Sequence, residues 1–232
     1  MKKKLFIISG HGGSDPGATS VINNKLYKES DLAIEFRDLL ISDLIKLNIS
    51  VITDSNQNAL QQTLNWLKGI VYKPTDIMID IHLNAGPSSA NGTEVIIPDN
   101  ASDTEKSISN DIFKVLSKYW KPRRILTESQ TPRKKLGIFR PNMEQVLIEL
   151  FFITNENDMN IYQNVKYSVS KEIAQILYKY INNENTSLFY IVEKGDTISS
   201  ISKKLNIPIK DLILKNNISN TNIIRIGQKL IL

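Results

Sequence analysis

With 232 residues, 41% of them apolar, the chain suits one medium domain plus a small module. It has no cysteine, so disulfides and thiolate metal sites are excluded, and any metal must rest on nitrogen and oxygen ligands. The net charge of +5 is uneven: residues 1–187 carry 22 basic against 21 acidic side chains, residues 188–232 carry 7 against 3. A basic tail suits an anionic polymer, either wall polymer or nucleic acid, or is simply a solvated lysine-rich surface. No stretch approaches the ~20 apolar residues of a membrane span, so no membrane anchor is expected.

Met1 to Lys4, followed by Leu5 to Ile8, imitates the start of a signal peptide. The apolar part is too short, no small-residue cleavage site follows, and Gly10-His11 interrupts it. It reads instead as a buried strand that breaks into a glycine-rich turn, Gly10-His11-Gly12-Gly13-Ser14-Asp15-Pro16-Gly17-Ala18. Leu32, Phe36, Leu40 and Leu44 fall at helical spacing, with Ser30 or Asp31 as the cap and Glu29 at the helix start. A second strand is expected over 49–53 and a helix over 58–72, ended by Lys73-Pro74.

Ile77 to Ile81 is a third strand, ended by His82-Leu83-Asn84-Ala85-Gly86. His82 is the second of only two histidines, and its setting repeats that of His11. Parallel neighbouring strands would bring both to one sheet edge, where α/β folds build their sites. Beyond lie a short strand over 94–97 and a helix over 104–120. The basic, irregular stretch 121–140 is either a lid or a solvated loop.

Gln145 to Ile153 reads as a central strand that contains Glu149, a costly residue to bury unless it is paired or bound. Asn155 to Asp158 turns the chain into a helix over about 165–181. Residues 1–181 then form one domain and 182–188 a polar linker. Residues 189–232 form a β-α-α-β module, with Asp196 or Thr197 capping its first helix and Pro208 opening its second.

Two imidazoles and one carboxylate with an open fourth position make a catalytic zinc site. The candidates are His11, Glu29 and His82, although no HExxH-type motif links them. Glu149 is the second carboxylate, placed to take a proton from water and pass it to a leaving amine. Asn84, close to His82, is a candidate substrate contact.

The block from Gly10 to Ala18, then Glu29, then Ile81-His82-Leu83-Asn84-Ala85, then Val146 to Asn155, resembles the zinc-dependent N-acetylmuramoyl-L-alanine amidases of the amidase-3 family. The resemblance implies an α/β fold, a twisted and mostly parallel sheet flanked by helices. It implies Zn2+ on His11, Glu29 and His82, with Glu149 catalytic. The implied reaction cuts the amide between N-acetylmuramic acid and L-alanine in peptidoglycan. Two departures bear on substrate shape more than on metal. Phe151 stands where the family commonly has glycine, and Trp66 to Val71 lacks the family's usual Arg and Ala-Asn.

The tail resembles a LysM module, which binds N-acetylglucosamine-containing glycans. Tyr190 to Ile198, Leu212 to Asn217 and Ile224 to Leu230 carry that likeness, with Arg225 where an apolar or aromatic residue is frequent. The implied sugar groove lies between Gly195, Asp196, Thr197 and Ile198 on one side and Asn216, Asn217 and Ile218 on the other. The expectation is a peptidoglycan hydrolase made in the cytoplasm without a signal peptide, acting on the cell wall after release. A phage endolysin is the first reading, and a sporulation or host autolysin of the same activity is the alternative. The rivals are a non-catalytic wall-binding protein and a zinc peptidase; nucleic acid is not the expected partner.

Overall fold

The computed structural model describes residues 3–182, 189–218, 220 and 223–232. The chain divides into two compact units, residues 1–182 and 183–232. Most of the expected linker, residues 183–188, lies outside the described residues.

The larger unit is built on a six-stranded sheet. In chain order its elements are β1 (Leu5–Ser9), β2 (Thr19–Ile22), β3 (Lys25–Lys28), α1 (Glu29–Lys46), β4 (Val51–Ile52), α2 (Leu60–Lys68) and β5 (Ile77–Asn84). They continue with β6 (Thr93–Ile97), α3 (Asp103–Leu116), β7 (Pro122–Thr127), β8 (Glu144–Phe152) and α4 (Glu156–Ile181). The sheet order is β4-β1-β5-β8-β6-β7. The first four strands of that order run parallel; β6 runs antiparallel to β8, and β7 parallel to β6. The α/β expectation holds, with the sheet mixed.

Side chains alternate across this sheet, and the alternation assigns its two faces. Leu5, Ile7, Ile77, Ile79, Ile81, Val146, Ile148 and Leu150 pack on one face with Leu32, Phe36, Leu40, Ile108, Ile112, Ile173 and Leu177 of α1, α3 and α4. Phe6, Ile8, Met78, Leu147 and Ile96 pack on the other with Leu67 of α2 and with Ile138 and Met143. On that second face the apolar positions give way to charge toward the carboxyl ends of the parallel strands. Asp80 and His82 on β5 follow Met78, and Glu149 on β8 follows Leu147.

Several elements differ from the sequence reading. The β2–β3 hairpin was not foreseen; it turns on Asn23 and Asn24, both at positive φ, the geometry of a two-residue hairpin turn. The strand expected over 49–53 shortens to Val51–Ile52, and the helix expected over 58–72 to Leu60–Lys68. β7 occupies part of the stretch read as irregular. It is the outermost strand, where a leading proline and two arginines are tolerated because no further strand must pair. α4 starts at Glu156, with Asn155 Oδ1 capping the Asp158 N–H, so Asn155 to Asp158 is helix start rather than free turn.

The smaller unit contains β9 (Phe189–Ile191), α5 (Ile198–Leu205), α6 (Ile209–Lys215) and β10 (Lys229–Ile231). β9 and β10 pair antiparallel. Tyr190, Val192, Ile198, Ile201, Leu212 and Leu230 form its core. Thr197 caps α5 through a capping box with Ser200, and Pro208 precedes α6. No helix of the described residues is long and apolar enough to cross a membrane.

Candidate metal centre and active site

His11 stands just past the end of β1, on a loop held by backbone contacts. The Gly10 N–H donates to the Ile81 carbonyl at 3.1 Å, and the Gly13 N–H to the Asn56 carbonyl at 3.0 Å. Buried Arg37 braces the same corner, donating to Ser9 Oγ at 3.3 Å, to Asp54 at 3.4 Å and to the Asn56 side chain. Glycine is required at two points. A Cβ on Gly10 would lie 1.7 Å from His82 Cε1. At Gly17, where φ is +63°, a Cβ would lie 2.7 Å from Glu29 Oε2 and 2.8 Å from the His11 ring.

Glu29 is the first residue of α1, and the cap position is Lys28, not Ser30 or Asp31. Its carboxylate is buried and fixed from two sides. Oε2 accepts from the Ala18 N–H at 2.9 Å, and Oε1 from the Leu83 N–H at 3.0 Å. Burial disfavours its charge, but the hydrogen bond to His82 and the charges of His82 and His11 outweigh that and lower its pKa.

His82 lies inside β5 rather than beyond its end. Its Nδ1 is 3.0 Å from Glu29 Oε1, and its Nε2 is 3.1 Å from Asp80 Oδ2. Burial opposes protonation of this ring, yet the Asp80 charge and the hydrogen bonds to Asp80 and Glu29 hold its pKa well above the ordinary value. His11 presents Nε2 to Glu29 Oε1 at 3.5 Å, while its Nδ1 is 2.9 Å from Asp15 Oδ2. The two rings stand edge to face, with centroids 5.1 Å apart.

One ligand atom each from His11, Glu29 and His82 falls within 4.8 Å of the others. This is the one such cluster of potential metal ligands among the described residues. Two imidazoles and a carboxylate, with a carboxylate behind each imidazole, match the donor set and outer support of a catalytic zinc site. The ring atoms that face Glu29 are His11 Nε2 and His82 Nδ1; Asp15 and Asp80 hold the opposite nitrogens.

Glu149 is the direct neighbour of His82 across the β5–β8 ladder. Its Oε2 is buried with no hydrogen-bond partner among the described residues. Burial pushes its pKa up to about 7, opposed in part by the His82 charge. A proton-carrying carboxyl beside a cluster of ligands is an arrangement for general acid–base work at neutral pH. Asn84 faces the same region, but its side chain is engaged: Nδ2 donates to Glu94 Oε2 at 2.9 Å, and Oδ1 accepts from the Ala85 N–H at 2.9 Å.

Sequence reasoning missed Asp15, Asp80, Arg37 and Glu94. Asp15 was visible four residues after His11, and Asp80 two residues before His82 on the same strand face. Arg37 and Glu94 carried no local signal. Phe151, expected to affect substrate shape, points into the core instead. It stacks on Trp120 at 5.7 Å between centroids and meets Tyr162 at 5.0 Å.

In the smaller unit, four of the candidate glycan contacts use their side chains for the module itself. Asp196 accepts from the Tyr190 hydroxyl and the Glu193 N–H, and Thr197 caps α5. Ile198 is core, and Asn216 bonds the backbone of Leu212 and Ile231. Ile218 packs partly against that core, while Gly195 and Asn217 sit at positive φ in turns.

Comparison with known proteins shows the family of both units. The profile of the amidase-3 family, described as N-acetylmuramoyl-L-alanine amidase, matches residues 5–184, and that of the LysM domain matches residues 190–232. The chain is 29% identical over 200 residues to a Staphylococcus aureus protein named "Probable autolysin PH"; the match covers 76% of this chain and 38% of that protein. The fold resembles a solved N-acetylmuramoyl-L-alanine amidase from Clostridium difficile 630, with a TM-score of 0.66 and 23% identity over 80% of this chain and all of that one. It also resembles Cwp6 from Clostridium difficile, with a TM-score of 0.61 and 26% identity over 79% of this chain and 30% of that one. The chain belongs to the amidase-3 family of peptidoglycan amidases and carries a LysM domain at residues 190–232.

Proposed function

We propose that this chain hydrolyses the amide between N-acetylmuramic acid and L-alanine, with zinc held by His11, Glu29 and His82 and with Glu149 carrying the proton. The observation that supports this most is the meeting of those three ligand groups beside a carboxyl raised to about 7. Zinc, when bound, would act as a Lewis acid toward the carbonyl and bring the pKa of water down to about 7. Glu149 takes a proton from the attacking water and returns it to the leaving nitrogen. Asp15 and Asp80 hold the two imidazoles in orientation. Asn84 lines the substrate side, with its amide donating to Glu94 Oε2.

Glu149→Ala is the decisive variant. It should retain zinc by elemental analysis yet release no new amino termini from purified walls. Continued lysis by the variant would remove Glu149 from its role. Release of amino acids with the sugar–peptide link intact would identify a peptidase instead.

The LysM domain is read as the anchor to the glycan strand, through the turns at Gly195 to Ile198 and Asn216 to Ile218. Peptidoglycan is thus the partner of both units, and tethering raises the local concentration of the amidase on an insoluble substrate. The setting proposed is endolysin-like, with action on the wall after release from the producing cell. The likeness to a protein named as a probable autolysin favours a cell's own autolysin as the second reading. Expression inside a bacterial host separates them: an endolysin lyses the cell only when the membrane is opened by a second agent.

A further inference from the structure

The basic stretch 121–140 places two arginines beside the site. β6 and β7 lose register between Thr93 and Glu94, where Thr93 pairs with Pro122 but Glu94 pairs with Arg124. Arg123 is therefore the extra residue of a bulge, and both arginines reach one carboxylate. Arg123 Nε donates to Glu94 Oε1 at 2.8 Å, and Arg124 Nε to the same oxygen at 3.1 Å.

The two are held differently. Arg123 also donates to the Asn91 carbonyl at 3.4 Å and lies over the Phe152 ring, 4.9 Å from its centroid. Gly92, at φ +105°, leaves room for it; a Cβ there would come within 3.1 Å of Arg123 Cγ. Arg124 is 57% exposed, and its Nη1 and Nη2 make no hydrogen bond among the described residues. Arg123 faces a second carboxylate as well, that of Asp158, whereas Arg124 meets Glu94 through Nε alone and leaves its outer nitrogens open.

Position supplies the rest. His82, Glu149, Glu94 and Arg124 are successive cross-strand neighbours on β5, β8, β6 and β7, and so share one face of the sheet. Two strand spacings separate Glu149 from Arg124, roughly 10 Å of backbone. A long arginine side chain and about two extended peptide residues of ~3.4 Å each span that gap.

We infer that Arg124, steadied by the Arg123–Glu94 pair, is a carboxylate-recognition subsite that reads an acidic group on the second residue of the stem peptide. The inference rests on the proposed amide bond, because the residue count starts at the scissile nitrogen. A guanidinium with two free edge donors fits a carboxylate in a bidentate manner, whereas a carboxamide at the same place offers one acceptor and no charge.

The test is calorimetric binding of two soluble peptides to the full chain. Both begin with alanine and differ only in a carboxylate or a carboxamide on the second residue. The acid should bind about tenfold more tightly or better, the scale of a charge-assisted pair. Arg124→Gln should bring the ratio to about one, and Arg124→Lys should keep part of it. Arg133→Gln, a charge removed elsewhere on the basic stretch, should keep all of it. Equal binding of acid and amide by the unaltered chain overturns the inference, as does an unchanged ratio in a folded Arg124→Gln. Wall hydrolysis is scored separately. Preference without cleavage keeps the subsite and removes the amidase reading; cleavage without preference does the reverse.

Discussion

Glu149 shows how one side chain carries both a cost and a use. Its folded pKa of about 7 exceeds the 4.5 of a free glutamate, so between those values the folded state holds a proton that the unfolded chain has released. The stability of the metal-free protein should therefore fall as pH rises from about 4.5 to about 7. Glu149→Gln has no proton to lose. Relative to its own difference at pH 4, it should gain on the unaltered chain by up to about 3 kcal/mol above pH 7. Denaturant melts of both proteins at several pH values check this, and parallel curves would contradict it. The same scale governs the ligands' supports. Asp15→Ala and Asp80→Ala should each weaken zinc binding about 10- to 100-fold, measured by competition with a chelator. Gly10→Ala should do more, since its new methyl would occupy the space of the His82 ring.

At the scale of elements, the edge of the sheet sets the geometry of the site. Gly92→Ala puts a Cβ 2.3 Å from the Lys121 carbonyl at a backbone φ of +105°. It should lower the melting temperature and loosen β7 from β6, seen as faster amide exchange in 122–127 while β1 and β5 stay protected. These two central strands were legible in the sequence, because strands buried on both faces are continuous apolar runs. The two candidate histidine ligands were legible because one histidine ends an apolar run and the other interrupts one. What escaped had conflicting local signals. Pro122 and Arg123-Arg124 argue against a strand anywhere but at an edge, and edge position is a property of the whole sheet. Asn23-Asn24 was a readable hairpin signal overlooked between two short polar strands. Glu94 and Arg37 become meaningful only through partners 10 and 17 positions away, Asn84 and Asp54.

For the whole molecule, two units each have their own core, and the proposed functions divide the same way. Residues 1–182 alone should cleave small soluble muropeptides at a rate similar to the full chain but sediment far less with whole walls. Equal sedimentation would count against an anchoring role for residues 190–232.

The four side chains proposed for hydrolysis sit at positions 11, 29, 82 and 149, and the ladder that aligns the last two is the β5–β8 pairing. Nothing short of that strand's arrival can complete the constellation. A polypeptide leaving the ribosome would stay chemically silent until some 150 residues had emerged and zipped together. Any proteolytic fragment ending earlier should be inert as well. A protein with the proposed action on the wall gains a built-in delay from that arrangement, set by topology alone.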